Sequence, residues 1–315
     1  MSADLAIVLT AGVTATACGL LGPFLVLRRV ALMGDAVAHS VLPGIVVVFL
    51  VLGTRAPLPV TVGAALFGVV CVLGVEGLRS TGLLKSDAAI GLTFPALFSL
   101  GVLGLDRFAD NIHLDLDSTI YGDIAFVPFR TLELGFAEPP QALVAIGAIA
   151  LVNLGLVVAF WKEIKATTFD PEFARTIGVP PKLIARLLLM AVAVTAVTAF
   201  EAVGAILVIT LLIVPAATAY LVTDRVWAMV AVAVAIGWLA AIAGYQGAVA
   251  LDASIAGAMG VVATICFVLA LLASPRYGLV ARAVQRTRWR RRLARALEVE
   301  EPDPRQLGGA PLQRG

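Results

Sequence analysis

The stretch Gly22-Pro23-Phe24-Leu25-Val26-Leu27-Arg28-Arg29-Val30-Ala31-Leu32-Met33-Gly34-Asp35-Ala36-Val37-Ala38-His39-Ser40-Val41-Leu42-Pro43-Gly44 ends one apolar run, places two cations, and opens a second run that contains polar groups. The arginines mark a loop. The runs on either side each approach the roughly 20 apolar residues that carry a helix across a bilayer core. Asp35 and His39 stand four apart, so on a helix they share one face. Read as continuous helix from Arg29, at about 1.5 Å per residue, His39 falls about 15 Å along the axis, near the bilayer midplane. Ionisable groups at that depth are costly and usually face a cavity or an ion path. A carboxylate oxygen beside an imidazole nitrogen suits Mn²⁺, Fe²⁺ or Zn²⁺. The same two residues also read as an Asp–His pair that satisfies itself inside a bundle. Pro43-Gly44 then interrupts the run, which lipid tolerates only where protein or water meets the freed backbone groups.

The rest of the chain agrees with this segment. Of 315 residues, 60% are apolar and 14% charged, against about 25% charged in a soluble domain. Mean hydropathy is +1.00. These values exclude a disordered chain and argue against a water-soluble globule. Reading for long apolar runs predicts spans at 5–27, 32–53, 58–78, 88–105, 140–161, 183–200, 203–222, 226–245 and 252–273. The sixth and seventh nearly join around Glu201 and Gly204, so they read as a tight hairpin or one broken helix, giving eight or nine spans. Pro95 and Pro215 are expected to interrupt the fourth and seventh. Ala240 and Gly244 have the small-xxx-small spacing of close helix contacts. Cys18, Cys71 and Cys266 lie in separate apolar runs and imply no disulfide framework.

Charge sets the orientation. From Pro275 onward there are 10 Arg against 4 Asp and Glu, a net +6, whereas residues 1–274 carry 13 Lys and Arg against 17 Asp and Glu. A basic tail directly after a span belongs on the cytoplasmic side, beside lipid headgroups rather than nucleic acid. Counting back through nine spans puts the N-terminus outside. The inside set is then Arg28, Arg29, Arg79, Lys85, Lys162, Lys165, Arg175, Lys182, Arg186 and Arg225, and the outside set Arg55, Arg107 and Arg130, so 10 of the 13 cations before the tail lie inside. The outer 106–139 loop is acidic: Asp106, Asp110, Asp115, Asp117, Asp123, Glu133 and Glu138. It holds His113 and reads either as a cation-gathering or docking surface or as a solvated loop. Met1-Ser2-Ala3-Asp4 lacks the cationic start of a signal peptide.

Three further features bear on function. Asp252 is expected to open the last span, as a helix N-cap or as a pathway carboxylate. Glu201 reads as a solvated turn residue, and Glu76 as the partner of Arg79 one turn on. In the inner loop Phe169-Asp170-Pro171-Glu172-Phe173-Ala174-Arg175-Thr176-Ile177-Gly178, Asp170 suits a cap, Pro171 the first helical position and Gly178 the end. That predicts a helix of about two turns, either a docking element for a soluble partner or an ordinary interfacial turn. The chain carries no G-x-x-x-x-G-K-[ST] phosphate loop, H-E-x-x-H, or assembled nucleophile set. It is therefore not expected to be an enzyme; any pumping draws on an ion gradient or on a separate ATPase.

The run from Gly22 to Gly44 resembles the metal-ion permease family of bacterial ABC importers, the membrane subunits of manganese, zinc and iron uptake systems. The loop from Phe169 to Gly178 resembles the family's ATPase-contacting segment. Glu201-Ala202-Val203-Gly204-Ala205-Ile206-Leu207-Val208, continuing to Pro215-Ala216-Ala217-Thr218-Ala219, resembles its later core. The likeness covers about residues 5–275. Where the family often reads Asp-Leu-Pro-Ser-Gly, this chain has Asp252-Ala253-Ser254-Ile255-Ala256-Gly257: the Asp is kept, the Pro is absent and the register shifts.

The resemblance implies an all-α, polytopic transmembrane bundle with broken helices and a short cytoplasmic coupling helix. Residues 1–275 would form the permease domain and 276–315 a basic, poorly ordered cytoplasmic tail. It implies a homodimer in a bacterial cell membrane, two separate ABC ATPase subunits, and an extracytoplasmic binding protein that delivers the metal. No cofactor is held permanently; the divalent metal is cargo. Asp35 and His39 map onto the family's metal ligands or gate, with Asp252 as a possible third. Phe169, Asp170, Glu172, Phe173, Ala174 and Gly178 map onto the ATPase-docking segment. One Asp and one His per chain lean to Mn²⁺ over Zn²⁺, and a neutral imidazole is needed for binding, so acid should weaken transport. Two other readings stay open: a gradient-driven metal transporter or channel, and an ABC permease for a siderophore- or cobalamin-type ligand.

Overall fold

The computed structural model of the chain describes residues 2–53, 57–108, 124–132 and 139–274. Among these residues nine helices are long and apolar enough to cross a membrane. The elements are α1 (Ala3–Leu27), α2 (Met33–His39), α3 (Leu42–Leu52), α4 (Pro57–Ser80), α5 (Ser86–Phe108), α6 (Gln141–Ala159), α7 (Trp161–Phe169), α8 (Pro171–Thr176), α9 (Pro181–Val203), α10 (Ala205–Val222), α11 (Val226–Leu251) and α12 (Ile255–Ala273). A 3₁₀ turn, Ile124–Phe129, precedes α6. Met1–Phe267 forms one compact unit, and Val268–Gly315 forms another, of which only 268–274 are described. His113 and the tail from Pro275 lie outside the described residues.

α1 is the axis of the main unit, packed against α6, α10 and α11. Its close contacts rest on missing side chains: a methyl group at Gly22 would run into the Leu212 carbonyl, and one at Gly12 into the Trp238 ring. Gly244 meets the Met259 backbone of α12 in the same manner, which is the close contact expected from the Ala240/Gly244 spacing. α9 is the bridging helix, packing on α4 and α2 as well as on α1 and α6. Asn153 of α6 donates to Thr195 Oγ1 of α9 (2.8 Å) and to the Ala17 carbonyl of α1 (3.4 Å). Cys18 and Cys71 are buried and unbridged.

The breaks fall differently from the sequence expectation. The second span does divide, into α2 and α3, with Pro43 in the first turn of α3. Pro95 and Pro215, by contrast, sit inside continuous helices, since membrane helices tolerate the one missing N–H of a proline. The sixth and seventh spans are separate helices joined by Gly204, whose φ of 84° and ψ of 152° stop both ladders. Run end to end they would extend about 60 Å, twice a bilayer core, so the chain turns there. Glu201 belongs to the last turn of α9, where it accepts a hydrogen bond from Thr61 of α4 (2.5 Å). It is not a loop residue.

Candidate functional site

Arg28, Arg29 and Val30 end α1 in a Schellman turn: Arg29 N–H donates to the Val26 carbonyl and Val30 N–H to that of Leu25. Arg29 takes φ 58°, a conformation that usually falls to glycine. This turn corrects the depth expected for the polar pair. Helix resumes only at Met33, so His39 lies about 9 Å along the axis from its start, not 15 Å. The pair sits in the first third of the Met33–Leu52 span, on the side of the two arginines.

On α2, Asp35 and His39 do share a face. His39 Nε2 lies 3.5 Å from Asp35 Oδ1, and the side chains are 53% and 41% exposed. The opposite face is buried by Met33, Ala36 and Val37, and Gly34 lets Leu212 of α10 come close. Two aromatic rings of α5 flank the imidazole, Phe94 at 5.7 Å and Phe98 edge-on at 6.3 Å. The Phe-x₃-Phe spacing was readable as an i, i+4 apolar pair but not as part of this site; only the packing of α2 on α5 brings it there.

This geometry suits one bridging cation. Ligands about 2.1 Å from a common ion stand about 3 Å apart at a right angle and about 3.4 Å apart at the tetrahedral angle. The chain supplies two donors: among the described residues no group of three or more His, Cys, Asp or Glu gathers at one point. Asp252 therefore does not join Asp35 and His39. It also does not open the last span. It ends α11 with φ 50° and ψ 49°, while α12 begins at Ile255 and Ser254 Oγ accepts from the Gly257 N–H. The shifted register after Asp252 moves the N-cap role to Ser254.

The inner loop forms the short helix expected from its caps. Asp170 Oδ1 accepts from the Phe173 N–H (2.9 Å), Pro171 opens α8, and Gly178 ends the segment at φ 82°. Phe169 at the end of α7, Phe173 in α8 and Ile177 at the C-cap of α8 are each more than half exposed. Glu172 pairs with Arg175 on the surface (2.7 Å), and Ala174 alone is buried. Glu76 and Arg79 pair as expected, at 3.4 Å. Arg28, a topogenic charge by sequence, also hydrogen-bonds Thr167 and Thr168 of α7 (2.7 and 3.0 Å). No spacing in the sequence signals a contact across some 140 residues.

The model of the ABC 3 transport family matches residues 5–274. The manganese transport system membrane protein MntD of Bacillus subtilis is 39% identical over 286 residues, covering 90% of this chain and 97% of that protein. The zinc transport system membrane protein TroD of Treponema pallidum is 43% identical over 278 residues, covering 88% and 76%. Among solved structures, PsaBC from Streptococcus pneumoniae in complex with Fab superposes with a TM-score of 0.71 at 26% identity, over 88% of this chain and 94% of that one.

Proposed function

We infer the function from one premise: this chain belongs to the ABC 3 transport family. It is the membrane-spanning permease subunit of an ATP-driven importer of divalent transition-metal ions, Mn²⁺ or Zn²⁺ before Fe²⁺. The observation that carries the reading is the Asp35–His39 pair, open on one face of a broken, otherwise apolar span. Outside the membrane such a pair would be unremarked; inside it, two ionisable groups need a reason. A cation exchanging part of its water shell for Oδ1 and Nε2 supplies one. The remaining ligands come from water or from the same two residues of a second permease copy.

In this reading the chain hydrolyses nothing itself. A separate ABC ATPase docks on the Phe169–Gly178 segment, where Phe169 and Phe173 offer apolar contact and Glu172 charge. Asp170 and Gly178 shape the helix, and Ala174 seats it on its own chain. ATP-driven closure of the partner moves α8, and the spans rearrange so that the cavity opens inward. The permease works as a homodimer in the bacterial cytoplasmic membrane. A binding protein delivers metal at the outer face, where the N-terminus and the 106–139 loop lie. Residues 1–275 form the permease domain, and the basic 276–315 tail stays on the cytoplasmic side.

The test is uptake of Mn²⁺, Zn²⁺ and Fe²⁺ into proteoliposomes holding the permease with its ATPase and binding protein. ATP-dependent uptake lost in Asp35→Ala and in His39→Ala is the expected result. Uptake by the permease alone, driven by an ion gradient, overturns it. Undiminished metal uptake by His39→Ala, with a large chelate as the better cargo, would favour the siderophore-type reading.

A further inference from the structure

Between the docking segment and the metal pair lies one polar contact that neither uses. The Arg28 guanidinium, at the C-terminal end of α1, donates from Nη2 to Thr167 Oγ1 (2.7 Å) and from Nε to Thr168 Oγ1 (3.0 Å). Both hydroxyl protons are already committed: Thr167 donates to the Glu163 carbonyl and Thr168 to that of Ile164. Their lone pairs therefore face Arg28, and the planar fork of an arginine spans two adjacent acceptors as an ammonium cannot. One turn back along α1, the buried Phe24 ring meets Trp161 of α7 edge-on at 6.0 Å. Ile164 of α7 is also buried. α7 is thus fastened along the last turn of α1 at both its ends.

The charge is poorly placed for stability alone. Burial, and the nearby Arg79 guanidinium, push Arg28 down to about 10, with Glu76 acting in the other direction. Among the described residues no carboxylate lies within 4.0 Å of it. A partly buried cation held by two neutral hydroxyls is an arrangement whose partners can separate without stranding a counter-ion.

The two ends of this contact are connected to different functions. Thr167 and Thr168 lie at the end of α7, and Asp170 caps α8 directly after it. Arg28 and Arg29 form the turn from which α2 starts, with the pair at Asp35 and His39 on that helix. We infer that Arg28 is a positioning residue that couples α8 to α2, carrying movement of the ATPase-docking segment through Thr167 and Thr168 to the start of the metal-bearing helix. This rests on the proposed roles of α8 and of the Asp35–His39 pair.

The test uses the whole transporter in proteoliposomes, with Mn²⁺ as the probe, and measures three quantities: Mn²⁺ bound by the permease, ATP hydrolysed, and Mn²⁺ transported per ATP. Arg28→Gln and the double variant Thr167→Val, Thr168→Val should leave binding and hydrolysis within about twofold and lower the transport-to-hydrolysis ratio at least tenfold. Thr167→Ser with Thr168→Ser, which keeps both acceptors, should restore the ratio. An unchanged ratio in Arg28→Gln and in the valine double variant overturns the inference. So does a proportional fall of transport and hydrolysis together, which would make the contact a part of folding or docking. Asp35→Ala in the same preparation reads the metal pair separately: if it transports normally, the role of α2 fails whatever Arg28 does.

Discussion

α1 and the α2–α3 span have similar hydropathy and opposite designs. α1 runs 25 residues unbroken and buries most of its length. Its threonines bond back along their own helix, Thr10, Thr14 and Thr16 each donating to the carbonyl four residues back, and Thr16 and Asp4 also accept from Trp238 and Tyr245 of α11. The second span is cut after seven residues, and its two ionisable side chains stay partly exposed, 3.5 Å from each other. A polar group in lipid is either satisfied within the bundle, by its own backbone or by a neighbouring helix, or left available. The first choice makes scaffold, and the second makes a site.

The largest expected effect follows from that contrast. Asp35→Ala or His39→Ala should cut metal uptake by about 100-fold or more, roughly 2.7 kcal/mol at about 1.36 kcal/mol per tenfold. Because both side chains are partly exposed, thermal unfolding in detergent should barely move, within about 0.5 kcal/mol. A variant that lost uptake only because it melted would erase the difference between the two helices. The reverse experiment belongs on α1. Gly22→Val places methyl groups against the Leu212 carbonyl, and overpacking of that kind costs about 1–3 kcal/mol. Its melting temperature should drop clearly, while the permease that survives should still bind Mn²⁺. Normal stability in Gly22→Val would show that α1 is not the rigid axis.

The contrast also marks what could be read from the chain alone. The spans were legible, save whether the chain breaks at Gly204, because hydropathy and length report burial in lipid without any knowledge of neighbours. Asp35 and His39 were legible because i, i+4 spacing on a helix is a local property. So were the caps of α8, where Asp170, Pro171 and Gly178 each act through their own backbone. The differences came from local turns that no residue type announces and from contacts between distant residues. Nothing near Arg29 says that the chain holds a left-handed turn before helix resumes, so the depth of His39 was overestimated. Pro95 and Pro215 look like breaks, yet each sits inside a continuous helix. Asp252 looked like an N-cap, whereas the next helix starts after Ser254. The Arg28 fork and the Thr61–Glu201 bond join residues some 140 positions apart, and only folding pairs them.

Smaller effects test how scaffold helices handle polar groups that do reach across. Asn153→Leu removes the bonds to Thr195 and to the Ala17 carbonyl. Interhelical hydrogen bonds in membranes average about 0.6 kcal/mol and reach about 1.7. The loss should therefore be measurable by unfolding yet leave Mn²⁺ uptake near the wild-type rate. A collapse of uptake at constant stability would move this network from scaffold to pathway.

Thr61→Val should be the mildest. Thr61 donates to Glu201 from an exposed position, and Glu201 lies one turn before Gly204, where α9 gives way to α10. An exposed hydrogen bond competes with water, so its removal should shift stability by no more than about 0.5 kcal/mol. If the bond merely decorates the helix ends, uptake will be unchanged and Glu201→Gln, which keeps an acceptor, will match Thr61→Val. If it holds α4 against the Gly204 turn as the bundle changes shape, Thr61→Val will slow uptake while Glu201→Gln spares it. The first result keeps the sharp division between α1-like scaffold and the α2 site. The second would mean that helix ends, as well as the broken span, contribute polar groups to the working cycle.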